Sequence, residues 1–284
     1  MFERTIELCV CDPSLSVRAC SASIILAVAE HDSVNAIVLF KQLLKADDIL
    51  LAVSDVESII AQCLRSHSND LRVIVERMLL SEHEEARQAG GRLACLARLY
   101  HSCLDDLSEL AMIGNSACRL GAAQVASQNL TQTNCRSWCE MALLRLFNDR
   151  DETVRHEAAR CFWHLSQDPE RPLADFNALI NSFLASQSFV EDPTFLLSAL
   201  DHTRQRVPEA ILDICETFVA KCSEPARDFR TSMAGDEMTV GKLVFRAYAQ
   251  LEALPMRIRA LNLIDEMCAE GLQSAGTHLT EFER

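Results

Sequence analysis

The chain has 284 residues, of which 49% are hydrophobic and 24% are charged, so it can bury a sizeable core. Its 8 glycines and 7 prolines are too few for the many tight turns of an all-β fold, and its Leu, Ala, Arg and Glu content favours helix. A formal net charge of −14 argues against nucleic acid as a partner, because a protein that binds phosphates needs a basic surface.

The 13 cysteines are an odd number, and most of them stand at apolar helical positions. Free cysteine behaves as a small hydrophobic residue, and a secreted disulfide scaffold would be shorter and richer in loops. We therefore expect reduced thiols and a cytoplasmic location. The first residues lack the pattern of a signal peptide, and no stretch reaches the roughly 18 apolar residues of a membrane-spanning helix.

Helical segments with a 3.6-residue apolar period recur in pairs, separated by short polar breaks. The clearest pair has a first helix over 135–147, a polar turn over 148–151 and a second helix from about Thr153 to Ser166. Five apolar residues of the second helix share one stripe, which must be buried against neighbouring helices. These residues are Val154, Ala158, Cys161, Phe162 and Leu165.

An arginine recurs near the start of the second helix in four of these pairs. The four positions are Arg18, Arg87, Arg119 and Arg155. The two later intervals are close to one repeat of roughly 35 residues, and the first interval is about two repeats. The skipped repeat is the segment around Asp55, which lacks the arginine.

Later pairs are less regular. One pair is predicted over 172–203, and its second helix opens with Asp192 as the N-cap and Pro193 as the first helical residue. The next helix starts at Pro208, a residue type that is common in the first turn of helices.

The predicted fold is all-α, an α-solenoid of about seven stacked antiparallel helix pairs. Helical repeats are expected over 1–222, and residues 223–235 form a polar loop. Two C-terminal helices over 236–271 close the array, and the tail over 272–284 is expected to fray.

The segment 149–159, with the sequence DRDETVRHEAA, resembles the second-helix signature of HEAT repeats, and the openings at 12–19 and 84–89 resemble it more weakly. The resemblance implies an acidic turn that caps the helix and an arginine that pairs with acidic turns of adjacent repeats. It assigns this structural ladder to Arg18, Arg87, Arg119 and Arg155. Because HEAT arrays serve many roles, the resemblance predicts a fold and leaves the function open.

The C-terminal region resembles the end of the helical-repeat regions of bacterial STAND-type NTPases, through residues 245–250, 257–267 and 282–284. In those proteins the solenoid senses a partner and the NTPase domain responds. The chain contains no Gly-x-x-x-x-Gly-Lys-Ser/Thr phosphate loop, so such an NTPase would lie on a separate segment. The chain is then either a complete sensor or a part of a larger NTPase.

One dipeptide resembles part of an enzyme site. His156-Glu157 follows Val154-Arg155 as the iron-binding dipeptides do in deoxyhypusine hydroxylase, a HEAT-type enzyme, whereas His83-Glu84 stands out of register. A di-iron site needs several converging ligands, which one dipeptide cannot supply. A solvated polar face is the favoured interpretation.

A zinc site is the second chemical alternative. Cys135 and Cys139 lie one turn apart, and Cys161 and His164 follow on the partner helix, so the four could bind zinc only if they faced one another. Packing in the core is the favoured interpretation. We therefore predict no metal, no cofactor and no catalytic residue.

Trp163 is the candidate interaction residue, since it lies about half a turn around its helix from Val154, with His156, Arg160 and Gln167. Second helices of such repeats usually line the concave surface, and tryptophan and arginine often dominate binding surfaces. The alternative is that Trp163 fills the seam with a neighbouring repeat.

These observations favour a non-enzymatic interaction or sensing module of a bacterial cytoplasm, which binds a protein partner through its concave face. An enzyme on the same scaffold, such as a metal-dependent hydroxylase or a bilin-lyase-like protein, is the alternative.

Overall fold

The computed structural model describes residues 2–45, 47–228, 230–231 and 233–272, with side chains from Arg4 onward. Every regular element in these ranges is helical and neighbouring helices pack together, which confirms the all-α prediction. None of the described helices is long and apolar enough to cross a membrane. The chain forms two compact units, Met1–Ala142 and Leu143–Arg284.

The described residues of the first unit form seven α-helices, a short 3₁₀ helix and the start of an eighth α-helix. They are α1 (Phe2–Val10), α2 (Leu15–Ala29), α3 (Ser33–Leu43), the 3₁₀ helix Asp48–Ala52, α4 (Ser54–Leu80), α5 (Glu84–His101), α6 (Asp105–Ile113), α7 (Ser116–Asn129) and α8 (Arg136–Leu146). His67 has non-helical backbone angles, so α4 consists of two helices joined at a kink. The N-termini of α2, α5 and α7 coincide with the predicted second-helix openings.

Side-chain caps explain where several of these helices begin. Asp32 accepts a hydrogen bond from the backbone N–H of Asn35, and Asn115 accepts one from that of Cys118. Each bond satisfies an N–H group that has no partner within its helix.

Glycine allows α5 and α7 to approach closely. A Cβ atom at position 91 would collide with the carbonyl oxygen of Cys118, and one at position 121 would collide with that of Gln88. The backbones of the two helices are therefore in contact at Gly91 and Gly121.

Shorter helices open the second unit, and longer ones close it. They are α9 (Glu152–Ala159), α10 (Cys161–Ser166), the 3₁₀ helix Leu173–Phe176, α11 (Asn177–Leu184), α12 (Gln187–Glu191), α13 (Thr194–His202), α14 (Pro208–Ala226), α15 (Met233–Gln250) and α16 (Leu254–Ala269). The single helix predicted from Thr153 to Ser166 is interrupted at Arg160, where ψ is −12°. The five residues of its apolar stripe are nevertheless buried, as predicted.

The polar loop predicted over 223–235 is shorter in the structure. Helix α14 continues to Ala226 and α15 begins at Met233, because both ends carry buried residues. Asp236 and Glu237, which directly follow the predicted loop, are polar but buried. Polar residues in this region are therefore not all exposed to solvent. Helix α13 begins at Thr194, one residue after the predicted start at Pro193. The tail that was predicted to fray lies beyond Leu272 and is outside the described residues.

Four phenylalanines form a cluster around Phe183 in the core of the second unit. Its ring centroid lies 5.0 Å from that of Phe147, 4.7 Å from that of Phe162 and 5.7 Å from that of Phe189. All four side chains are fully buried. This cluster joins α10, α11 and α12 to the residue that follows α8.

Candidate interaction surface

The four recurrent arginines share one contact. Each donates a hydrogen bond to a backbone carbonyl of the turn before its own helix, five or six residues earlier in the chain. Such carbonyls, at the end of the preceding helix, lack an intrahelical partner. The pairs are Arg18 with Asp12, Arg87 with Ser81, Arg119 with Gly114 and Arg155 with Asp149.

Only some of these arginines also contact an acidic residue of a neighbouring pair. Arg155 donates two hydrogen bonds, of 2.6 and 2.5 Å, to the carboxylate of Glu191 at the end of α12. Arg18 and Arg87 make no ion pair with any described residue. An arginine–carboxylate contact of the kind that the resemblance implies is thus observed at Arg155. None is observed for Arg18 or Arg87 among the described residues.

Arg92 also connects neighbouring helices, and sequence reasoning missed it. Arg92 on α5 donates two hydrogen bonds, of 2.6 and 2.5 Å, to Glu57 on α4. Arg92 also donates to the side-chain carbonyl of Gln124 on α7 at 2.8 Å, so it bridges three helices. Arginine suits this position because its planar group has five donors.

Trp163 and two of its predicted neighbours lie on one stretch of surface. The Trp163 side chain is 43% exposed, so it does not fill a closed seam. Arg160 is partly exposed and forms an ion pair of 3.1 Å with Glu157. The side-chain amide of Gln167 contacts the carbonyl oxygen of Trp163 at 3.5 Å. We call Arg160, Trp163 and Gln167 the Trp163 surface.

His156 belongs to a different site. Its Nδ1 atom lies 2.8 Å from Asp192, and its ring centroid is 5.4 Å from that of Phe195. These residues line a cavity of about 460 Å³ with Glu152, Ser188, Glu191 and Thr194. Neither Arg160 nor Trp163 lines that cavity. The structure therefore divides the four predicted surface residues into two groups.

Beside the Trp163 surface, Glu157 is buried and His164 is half-buried. Glu157, expected on a solvated face, is only 7% exposed and binds Arg160 through one oxygen, while its Oε1 makes no hydrogen bond. Burial and then the charge of Arg160 lower the pKa of His164. His164 is therefore neutral at pH 7 and does not add a charge to this surface.

Burial suppresses the ionisation of two of the thiols. No group of three or more His, Cys, Asp or Glu side chains within the described ranges could hold a metal ion. Burial raises the pKa of Cys139 to about 12 and that of Cys222 to about 11. Both remain protonated thiols at pH 7, a form that is not nucleophilic.

A second cleft lies between α11 and α14, and sequence reasoning missed it. It measures about 490 Å³, and its lining combines buried aliphatic residues with exposed amide and carboxylate groups. Its residues come from four separate elements between positions 173 and 214, so no local pattern marks them. The one local signal is the pair Asn177 and Asn181, four residues apart on a helix whose other residues, except Ser182, are apolar.

Comparison of the chain with protein-family models, with curated proteins and with solved structures finds no match.

Proposed function

We propose that the chain is a non-enzymatic, HEAT-like α-solenoid that binds a protein partner through the Trp163 surface. In this proposal the helices stack as about seven pairs, the Trp163 surface lies on the concave face, and the protein acts in the cytoplasm without a resident cofactor.

The exposure of Trp163 carries the proposal. A tryptophan that is 43% exposed leaves a large apolar area in water, and burial of that area would favour a complex. Arg160 lies beside it and can donate hydrogen bonds to a partner. Tryptophan and arginine are the residue types most enriched among those that dominate binding energy.

The support beneath Trp163 makes this surface rigid. Its neighbours Cys161, Phe162 and Leu165 are buried in the core of the second unit. A preformed helical surface loses little conformational entropy when it binds, which favours recognition by shape.

The recurrent arginine contacts support the repeat arrangement. Four arginines make the same bond to a preceding carbonyl, and Arg92 joins helices about one repeat apart. Contacts between sequential neighbours of this kind are what a stacked array requires.

The proposal is tested by quantitative affinity capture. The tagged chain and its Trp163→Ala variant are incubated with lysate of the native cells, and captured proteins are quantified by mass spectrometry. Met238→Ala is the matched control, because Met238 is an apolar residue of the same unit with 44% exposure. A stoichiometric protein that Trp163→Ala loses and Met238→Ala retains is the expected result. If every captured protein is retained by Trp163→Ala, this surface is not the binding site.

A further inference from the structure

The cleft between α11 and α14 has an apolar floor. Leu173, Ile180, Leu200 and Ile214 line it and are themselves buried, so their exposed edges face a space of about 490 Å³. This volume falls within the range of clefts that bind ligands, roughly 300–1,000 Å³. An aliphatic side chain could enter it and gain contact with these residues.

One wall of the cleft presents two carboxamides. Asn177 and Asn181 lie on the exposed side of α11 and line the cleft. Neither side chain forms a hydrogen bond with any described residue. A carboxamide has both donors and an acceptor, so each can pair with the N–H and the C=O of one peptide residue.

The spacing of these amides matches an extended peptide. Residues four apart on a helix rise by about 6 Å, and alternate residues of an extended chain are separated by about 6.6 Å. Asn177 and Asn181 can therefore bind two alternate residues of the same strand-like segment. The cleft extends along α11 from Asn177 to Leu184, about 10 Å, which suits three or four extended residues.

The opposite wall is acidic. Glu209 and Asp213 line the cleft, together with one cation, Arg206. Arg206 is bonded to Gln250 and Glu252, and Asp213 shares Arg259 with Glu216. The charged lining residues thus sum to one negative charge. Glu209 makes no ion pair with any described residue, and Lys221 donates to the carbonyl of Leu184 at one end of the cleft. A basic ligand complements this charge.

We propose that this cleft binds an extended, basic peptide segment of a partner protein. The amides of Asn177 and Asn181 hold the peptide backbone, an aliphatic side chain occupies the floor, and a Lys or Arg side chain pairs with Glu209. The proposal rests on the interaction role proposed above, but it does not depend on the Trp163 surface.

The test uses a library of random dodecapeptides displayed on phage and selected on the full chain. Enriched peptides are synthesised with a fluorophore, and their Kd values are measured by fluorescence anisotropy. The variants are Asn177→Ala, Asn181→Ala and Glu209→Gln, all of which change exposed side chains. Asn262→Ala, an exposed asparagine on α16, and Trp163→Ala are the controls.

Enriched sequences are expected to combine an aliphatic residue with Lys or Arg. Each Asn→Ala change should weaken binding about 3- to 10-fold, as expected for loss of one or two net hydrogen bonds. Glu209→Gln should weaken binding and reduce its dependence on salt, because it removes one ion pair. Both controls should bind within a factor of 2, a change near the limit of measurement.

Three results would overturn the proposal: no enrichment, enrichment of acidic peptides, or affinities unchanged in both asparagine variants. Analytical ultracentrifugation tests whether a second copy of the chain occupies the cleft instead. If the chain self-associates and the Asn177→Ala, Asn181→Ala double variant does not, the cleft binds a second copy and the proposal is overturned. The two proposals can fail separately. If Trp163→Ala loses no partner in the capture experiment but still binds the peptides, the Trp163 surface is not a binding site and the proposal for the cleft is retained.

Discussion

The two units of the chain fill their interiors in different ways. In the first unit α5 and α7 touch through Gly91 and Gly121, so backbone meets backbone. In the second unit four phenylalanine rings pack together, and clefts of about 490 and 460 Å³ lie at its surface. Clefts of about 380 and 350 Å³ lie in the first unit. Close backbone packing leaves little room for a ligand between α5 and α7. The two clefts described above belong to the second unit.

The largest expected effect is in the phenylalanine core. Phe183→Ala removes the ring that contacts three others, and should lower the free energy of unfolding of the second unit by about 3–5 kcal/mol. Urea unfolding, followed by hydrogen exchange of peptides from each unit, measures the loss and locates it.

Trp163→Ala is the matched aromatic control, because Trp163 is partly exposed. It should cost much less than Phe183→Ala. Equal losses in the two variants would contradict a core centred on Phe183.

Replacement of Asp236 gives the second effect, and its size depends on pH. Burial raises the pKa of Asp236 from 3.8 to about 6, although the hydrogen bond from Thr194 lowers it. Because the folded pKa is the higher one, this group's contribution to stability falls as pH rises from 3.8 through 6. Asn keeps an acceptor for Thr194 without the charge. Asp236→Asn should therefore stabilise the protein by up to about 3 kcal/mol at pH 8.

About half of that gain should remain at pH 5, since the unfolded Asp is already ionised there and the folded one is not. Chemical unfolding at pH 5, 6, 7 and 8 tests the slope. Asp265→Asn is the control, because Asp265 is exposed on α16. A gain that does not change with pH would mean that Asp236 is not the titrating group.

The third effect tests the close contact in the first unit. A Cβ at position 121 would meet backbone atoms of Gln88 and Arg92, which cannot rotate away. Gly121→Ala should therefore cost about 1–3 kcal/mol, despite the better helix propensity of alanine. Faster hydrogen exchange confined to α5 and α7 is the expected signature. Unchanged exchange there would mean that the two backbones have room between them.

Sequence reasoning succeeded where the pattern is local. The apolar stripe from Val154 to Leu165 and the helix openings before Arg18 and Arg87 depend on short-range periodicity. The partners of the arginines could not be predicted, because a carbonyl six residues earlier and a carboxylate one repeat later satisfy the same donors equally well. The interruption of the helix at Arg160 could not be predicted from the sequence, since the apolar period continues across it.

The errors in the predicted site have the same physical cause, since burial and clefts depend on residues that are distant in the sequence. Glu157 was assigned to a solvated face because it is acidic, yet burial depends on which helices pack over it. The cleft between α11 and α14 gathers residues from four elements, so only the folded chain brings Asn177 and Glu209 to one groove.

The smallest effect completes the comparison between the units. Gly235 on α15 has open space where a Cβ would stand, in contrast to Gly121. Gly235→Ala should raise the free energy of unfolding by about 0.5 kcal/mol, because alanine loses less backbone entropy in a helix. Thermal unfolding of the two variants side by side gives opposite signs if packing decides the cost. A loss at both positions would mean that glycine is required in these helices for a reason other than close contact.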